Sequence, residues 1–145
     1  MTLLNQSSGG ANFRAAIDTL AWLIEDAFQG DPSHSLLANL RDLRDEDWTA
    51  LPPGGDQPPL VPAQSLRSRP HDELLAWLTE GQRRWLASVR ALSNDAELDR
   101  DRLTNWGERL LTRVIVRIMI AHDLYHAGEI NHLRALLHGS DRWPY

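Results

Sequence analysis

The sequence predicts an all-α protein: a shortened helical bundle of three long helices and one short helix. Apolar residues recur at three- and four-residue steps over long stretches, whereas no stretch alternates between apolar and polar residues as a half-buried strand would. With 145 residues and a hydrophobic fraction of 42%, the chain has enough apolar residues for one sizeable core. We therefore expect a flexible tail of residues 1–10 and a single domain over residues 11–145.

The first long helix is predicted from a stripe of apolar residues at the helical period, which are Phe13, Ile17, Leu20, Ile24 and Phe28. Gly30 and Pro32 should end this helix. Leucines from Leu36 to Leu43 predict a short second helix.

Residues 49–69 are predicted as a Pro-rich loop that leaves little room for regular structure. A connection of this length is unusual in a compact domain, where loops beyond ~15 residues are uncommon. Either the loop performs a task, or an element has been lost there.

Pro70 and the acidic residues that follow it have the composition of a helix first turn, and an apolar stripe continues from Leu74 to Leu92. A polar loop then contains Asn105 and Glu108 at the spacing of an approximate capping pair. The last helix is predicted from about residue 110 to residue 138, with Gly139 as its end.

Two histidines fall on the predicted inner face of this last helix. At about 100° per residue, that face is defined by five apolar residues, Ile115, Ile118, Met119, Leu133 and Leu137. His122 and His126 lie near its middle, at the i, i+4 spacing with which one helix supplies two ligands to zinc. The alternative is a pair of core or groove histidines hydrogen-bonded to backbone or water.

Other polar residues of the last helix have different expected positions. Glu129 lies on the edge of the predicted inner face, while His132 and His138 are expected at the surface or in an interface. The string H-D-L-Y-H also invites comparison with H-E-x-x-H metalloproteases. Asp123 is one methylene too short for their general base and no downstream ligand motif follows, so this interpretation is disfavoured.

Composition limits the possible functions. The chain has no cysteine, so a metal must be held by His, Asp or Glu. A net charge of −5 without a basic stripe argues against nucleic-acid binding. The sequence shows neither the basic segment and apolar run of a signal peptide nor a long uncharged apolar stretch that could span a membrane. We therefore expect a cytoplasmic protein that does not bind membranes.

The segments "TNWGE" and "HDLYHAGEINHLRALLHGSDRW" resemble the C-terminal half of the DinB-like (YfiT-like, DNA-damage-inducible) metalloenzyme family. The upstream segments "LLANLRDLRDEDWTALPPGG" and "DELLAWLTEGQRRWLASVRAL" also fit the family pattern. The resemblance covers most of the chain from about Ala21.

This resemblance implies an up-down-down-up four-helix bundle, commonly dimeric, that binds a divalent metal such as zinc or nickel through three histidines. Two of the ligands come from an H-x-x-x-H pair on the last helix, which matches His122 and His126. Relatives include thiol-dependent transferases and isomerases, so the expected activity is that of a metal-dependent thiol transferase or hydrolase on a small-molecule thiol. Glu129 and Tyr125 are the residues expected to assist catalysis.

One departure from the family pattern affects the site. Family members follow the "PPGG" turn with a long helix that carries the first histidine, and this helix is missing here. His71 is the first candidate for the third metal ligand, and His34, Glu129 or a partner-chain residue are the others. We expect a homodimer in which the partner covers the gap. The alternative function is a non-catalytic helical dimerisation or binding module whose metal site is degenerate and whose metal is lost.

Overall fold

The computed structural model describes residues 13–31, 34–41, 43–51 and 70–139. Most of the predicted Pro-rich loop and the predicted N-terminal tail lie outside these ranges. The described residues are mainly helical, which confirms the predicted all-α class. Their elements are α1 (Ala15–Glu25), α2 (Leu36–Arg41), α3 (His71–Arg90), β1 (Asp101–Leu103), β2 (Arg109–Leu111) and α4 (Thr112–His138). None of the described helices is long and apolar enough to cross a membrane.

A side chain of the 3-10 turn that follows α3, Asp95–Asp99, binds the first turn of helix α1. The Asp95 carboxylate accepts hydrogen bonds from the backbone N–H groups of Ala16 and Ile17, both at 3.0 Å. A carboxylate at this end satisfies amides that have no partner within the helix and interacts favourably with the helix dipole. At its other end α1 continues as a single π-helical turn, Asp26–Gly30, which buries Phe28.

The buried side chains form two clusters along α4. The first joins α1, α3, the 3-10 turn Asp95–Asp99 and the first half of α4, and comprises Ile17, Ile24, Val89, Leu98 and Val116. The second joins the π-helical turn, α2, the 3-10 turn Asp45–Thr49 that follows it, and the second half of α4, and comprises Phe28, Leu36, Leu37, Leu40, Leu43, Trp48, Ala127 and Ile130. Helix α4 therefore contributes one continuous face to both clusters.

The face that α4 buries differs from the predicted one. The buried residues of α4 are Thr112, Val116, Ala127, Ile130, Asn131 and Arg134, and they centre about 100° around the helix from the predicted face. The residues that define the predicted face are only partly buried. The prediction counted apolar residues alone, but the core here includes Asn131 and Arg134, whose side chains are hydrogen-bonded to each other.

The loop before α4 was predicted without strands, and the structure corrects this. Strands β1 and β2 form an antiparallel hairpin in which Leu103 pairs with Arg109. The turn is closed by Thr104, whose Oγ1 accepts a hydrogen bond from the Glu108 amide at 3.0 Å, and Gly107 adopts the left-handed φ of 92°. Asn105 and Glu108 thus belong to a hairpin turn and not to a helix cap. Helix α4 begins at Thr112 and ends at His138, and it is followed by Gly139, which has a φ of 62°.

His138, which was predicted at the surface or in an interface, retains 23% of its side-chain accessible surface and joins the end of α4 to the 3-10 turn Asp45–Thr49. Its Nε2 lies 2.9 Å from Oδ2 of Asp47, and its Nδ1 lies 2.7 Å from the guanidinium of Arg44. Burial raises the pKa of the Asp47 carboxyl. Hydrogen bonds from the Arg44 amide, from His138 and from the Arg44 guanidinium outweigh that effect and hold the pKa below its ordinary value of 3.8.

Removal of the Asp47 charge should destabilise the fold, because a buried carboxylate that accepts several hydrogen bonds is replaced by a weaker acceptor. We expect Asp47→Asn to lower the free energy of unfolding by about 2 kcal/mol, measured by urea denaturation followed by circular dichroism. Glu46→Gln is the matched control, since Glu46 is an exposed neighbour with only a long contact to Arg44, at 3.5 Å. Equal stability of the two variants would contradict the role of Asp47.

The same carboxylate should contribute to the acid sensitivity of the protein. A group whose pKa is lower in the folded state stabilises the fold above its unfolded-state pKa, and this stabilisation is lost as the pH falls through the folded-state value. We expect the free energy of unfolding of the wild type to fall more steeply below about pH 4 than that of Asp47→Asn. Parallel pH profiles for the two proteins would exclude this contribution.

Candidate metal centre

The centre of the candidate site is a pair of imidazoles one helical turn apart on α4. Nε2 of His122 lies 3.0 Å from Nε2 of His126. The rings are nearly perpendicular, with centroids 4.3 Å apart. Residues at i and i+4 stand one above the other on a helix, so the regular backbone of α4 is sufficient to bring these two nitrogens together.

Glu129 orients the second imidazole from the next turn of the helix. Its Oε2 lies 2.8 Å from Nδ1 of His126. A hydrogen bond from Tyr125, supported by His126, holds the pKa of the Glu129 carboxyl below its usual range, against the effect of burial. The carboxylate is therefore ionised at neutral pH and can only accept hydrogen bonds.

The order of these contacts determines where the protons lie. Because Glu129 only accepts, Nδ1 of His126 donates in that contact. In the neutral tautomer that this requires, Nε2 of His126 is an acceptor. The contact between the two Nε2 atoms then assigns the donor role to His122.

Tyr125 extends this chain of contacts toward solvent. Its hydrogen bond to Glu129 and the carboxylate charge raise the pKa of the phenol, so Tyr125 remains protonated at neutral pH. Its ring lies edge-on to His126, with centroids 5.4 Å apart. Both residues expected to assist catalysis, Glu129 and Tyr125, therefore adjoin the imidazole pair.

The pair lies nearer to solvent than the sequence predicted. His122 is exposed and the His126 side chain retains 42% of its accessible surface, whereas both were expected in the middle of a buried face. They do lie in the middle of the apolar stripe that the sequence identified. That stripe is the half-exposed side of α4, because the helix buries a different face.

The structure does not bring the proposed third ligand to the pair. His71 lies at the first residue of α3, where its Nδ1 is 2.9 Å from Oδ1 of Asp45 and its ring stacks on Trp48. His34 is bonded to Asp31 in the turn before α2. Among the described ranges, no group of three or more His, Asp or Glu side chains is placed to hold a metal ion.

Asp123 is a polar residue near the pair whose setting the sequence did not indicate. The residue is partly buried although it directly follows exposed His122. Burial raises the pKa of its carboxyl to about 6, and the nearby His126 opposes that shift. The sequence would have predicted an inward-facing side chain for Asp123 only with the rotation of α4 about its axis already known.

The two histidines fit the geometry of a divalent metal. Two nitrogens bound to one tetrahedral zinc at about 2.0–2.1 Å lie about 3.3–3.4 Å apart, close to the 3.0 Å observed between the two Nε2 atoms. A carboxylate on the other ring nitrogen is the usual orienting partner of a metal-binding histidine, and Glu129 occupies that place. The separation of the two nitrogens is therefore compatible with their binding to one divalent ion.

Comparison of the chain with protein-family models, with curated proteins and with solved structures gave no match. The family expectation therefore rests on the sequence segments quoted above.

The proton arrangement can be tested directly by nitrogen-15 NMR of the imidazoles. We expect His126 to be the Nδ1–H tautomer in the wild type, and Glu129→Gln to increase the fraction of the other tautomer, because an amide no longer requires a donor. Exposed His132 on the same helix serves as the internal control. A predominantly Nε2–H form of His126 in the wild type would contradict the assignment.

Proposed function

We propose that this protein binds a divalent metal ion, zinc or nickel, through Nε2 of His122 and Nε2 of His126. The observation that carries the proposal is the 3.0 Å separation of these two nitrogens, combined with the hydrogen bond that Nδ1 of His126 donates to Glu129. Imidazole suits both metals. Binding at Nε2 would require neutral His122 to carry its proton on Nδ1, a change of tautomer.

A thiol-dependent activity is the catalytic form of this proposal, and it follows from the resemblance to DinB-like proteins. A bound divalent ion supplies Lewis acidity and lowers the pKa of a coordinated thiol. The chain's own residues have two roles in this form. Glu129 fixes the orientation of His126, and the Tyr125 hydroxyl, which stays protonated, is a hydrogen-bond donor at the rim of the site.

A non-catalytic dimerisation module is the second candidate function. The observation that favours it is the apolar stripe of α4 around the histidine pair, which the rest of the described chain covers only in part. Such apolar surface is typical of a contact with another molecule. This candidate and metal binding are compatible, because the histidines lie within the stripe.

Metal content after zinc loading and gel filtration tests the proposal without a known substrate. We expect His122→Ala and His126→Ala each to abolish stoichiometric zinc retention, and Glu129→Gln to weaken zinc affinity by roughly 10- to 100-fold. His132→Ala, which changes an exposed histidine of the same helix, is the matched control. Zinc retention that is unchanged in His126→Ala would refute the proposed ligand pair.

A further inference from the structure

We infer that the metal ion is held between two copies of the chain, with His122 and His126 of each copy as its four ligands. This inference rests on the proposed function and adds the source of the missing ligands. It also assigns the half-exposed stripe of α4 as the surface on which the second copy packs.

One chain supplies fewer ligands than a zinc site requires. Structural zinc sites take four protein ligands and catalytic ones three, whereas one α4 helix supplies two nitrogens. Among the described residues, no further His, Asp or Glu side chain completes a group of three. His122 is exposed and His126 partly exposed, so their nitrogens are accessible to ligands that come from outside the chain.

The apolar stripe continues on both sides of the histidine pair. Ile115 lies nine residues before the midpoint between His122 and His126, and Leu133 lies nine residues after it. In an antiparallel two-fold contact of a helix with its own copy, each contact between residues i and j occurs twice. With the axis at this midpoint, Ile115 would face the partner's Leu133 and His122 would face the partner's His126.

In this register the ion would lie on the two-fold axis, at equal distances from the two histidine pairs. Each His122 would face the partner's His126, and each His122 Nε2 is already 3.0 Å from Nε2 of its own His126. Two nitrogens from each copy give the four-ligand set of a tetrahedral zinc site. Such a site has no open position, so the zinc would fasten the dimer, which favours the second candidate function over catalysis.

The size of the stripe indicates that the ion is needed for the dimer. From Ile115 to Leu137 the helix rises about 33 Å, so a contact roughly 10 Å wide buries roughly 330 Å² on each copy. A stable protein interface buries about 800 Å² per partner. The stripe alone is therefore too small, and the dimer should form only when the ion links the two copies.

Sedimentation velocity with and without zinc, combined with metal analysis of each species, tests the inference on the full chain. We expect a species of 16.4 kDa without zinc and one of about twice that mass with zinc, containing one zinc per two chains. One zinc bound to each monomer would overturn the inference and leave the proposed function intact. Absence of any bound zinc would overturn both.

A charge placed on the stripe gives a second test that leaves both histidines in place. Leu133→Glu should abolish the zinc-dependent doubling of mass, since it places a carboxylate opposite the partner's Ile115. Leu124→Glu is the matched control: the same substitution at a 46% exposed leucine of α4, on the side opposite the stripe. We expect it to dimerise with zinc like the wild type.

Circular dichroism checks that both variants are folded, and Met119→Glu replaces Leu133→Glu if that variant is not. Zinc-dependent dimers of a folded stripe variant that are as stable as those of the wild type would overturn the inference.

Discussion

The packing of α4 determines which of its residues are available for function. Val116, Ala127 and Ile130 connect this helix to both buried clusters. Their position fixes the rotation of a 27-residue helix about its axis. Because the helix buries this face, the apolar stripe that contains His122 and His126 is left partly open. Asp95 at the start of α1 and Asp47 at the end of α4 hold neighbouring elements in place around it.

The exposed side of α4 carries a polar chain in which each group constrains the next. The Glu129 carboxylate accepts hydrogen bonds from Tyr125 and from His126, and His126 is hydrogen-bonded in turn to His122. The ionised Glu129 carboxylate makes Nδ1 of His126 a donor, so that Nε2 of the neutral ring accepts from His122. In the proposed metal complex the ion lies between the two Nε2 atoms, His122 carries its proton on Nδ1, and the orientation of His126 is unchanged. The arrangement thus serves as a hydrogen-bonded chain without metal and suits ligation of a metal when one is present.

Much of the secondary structure followed from apolar periodicity, because long amphipathic helices give a strong local signal. The convergence of His122 and His126 also followed from spacing alone, since only helix geometry is required. The rotation of α4 about its axis could not be predicted in this way. Its buried face includes Asn131 and Arg134 as a hydrogen-bonded pair, and a count of apolar residues leaves these two out. Partners distant in sequence, such as Asp47 and His138, have no local signal, and neither has the setting of Asp123.

In the zinc-linked dimer four imidazoles from two chains would surround one ion, and X-ray absorption spectroscopy at the zinc edge counts them most directly. The account predicts four nitrogen ligands at about 2.0 Å, with the multiple-scattering pattern of imidazole fitted best by four rings per zinc. A fit with two imidazoles and oxygen ligands in the remaining positions would contradict it.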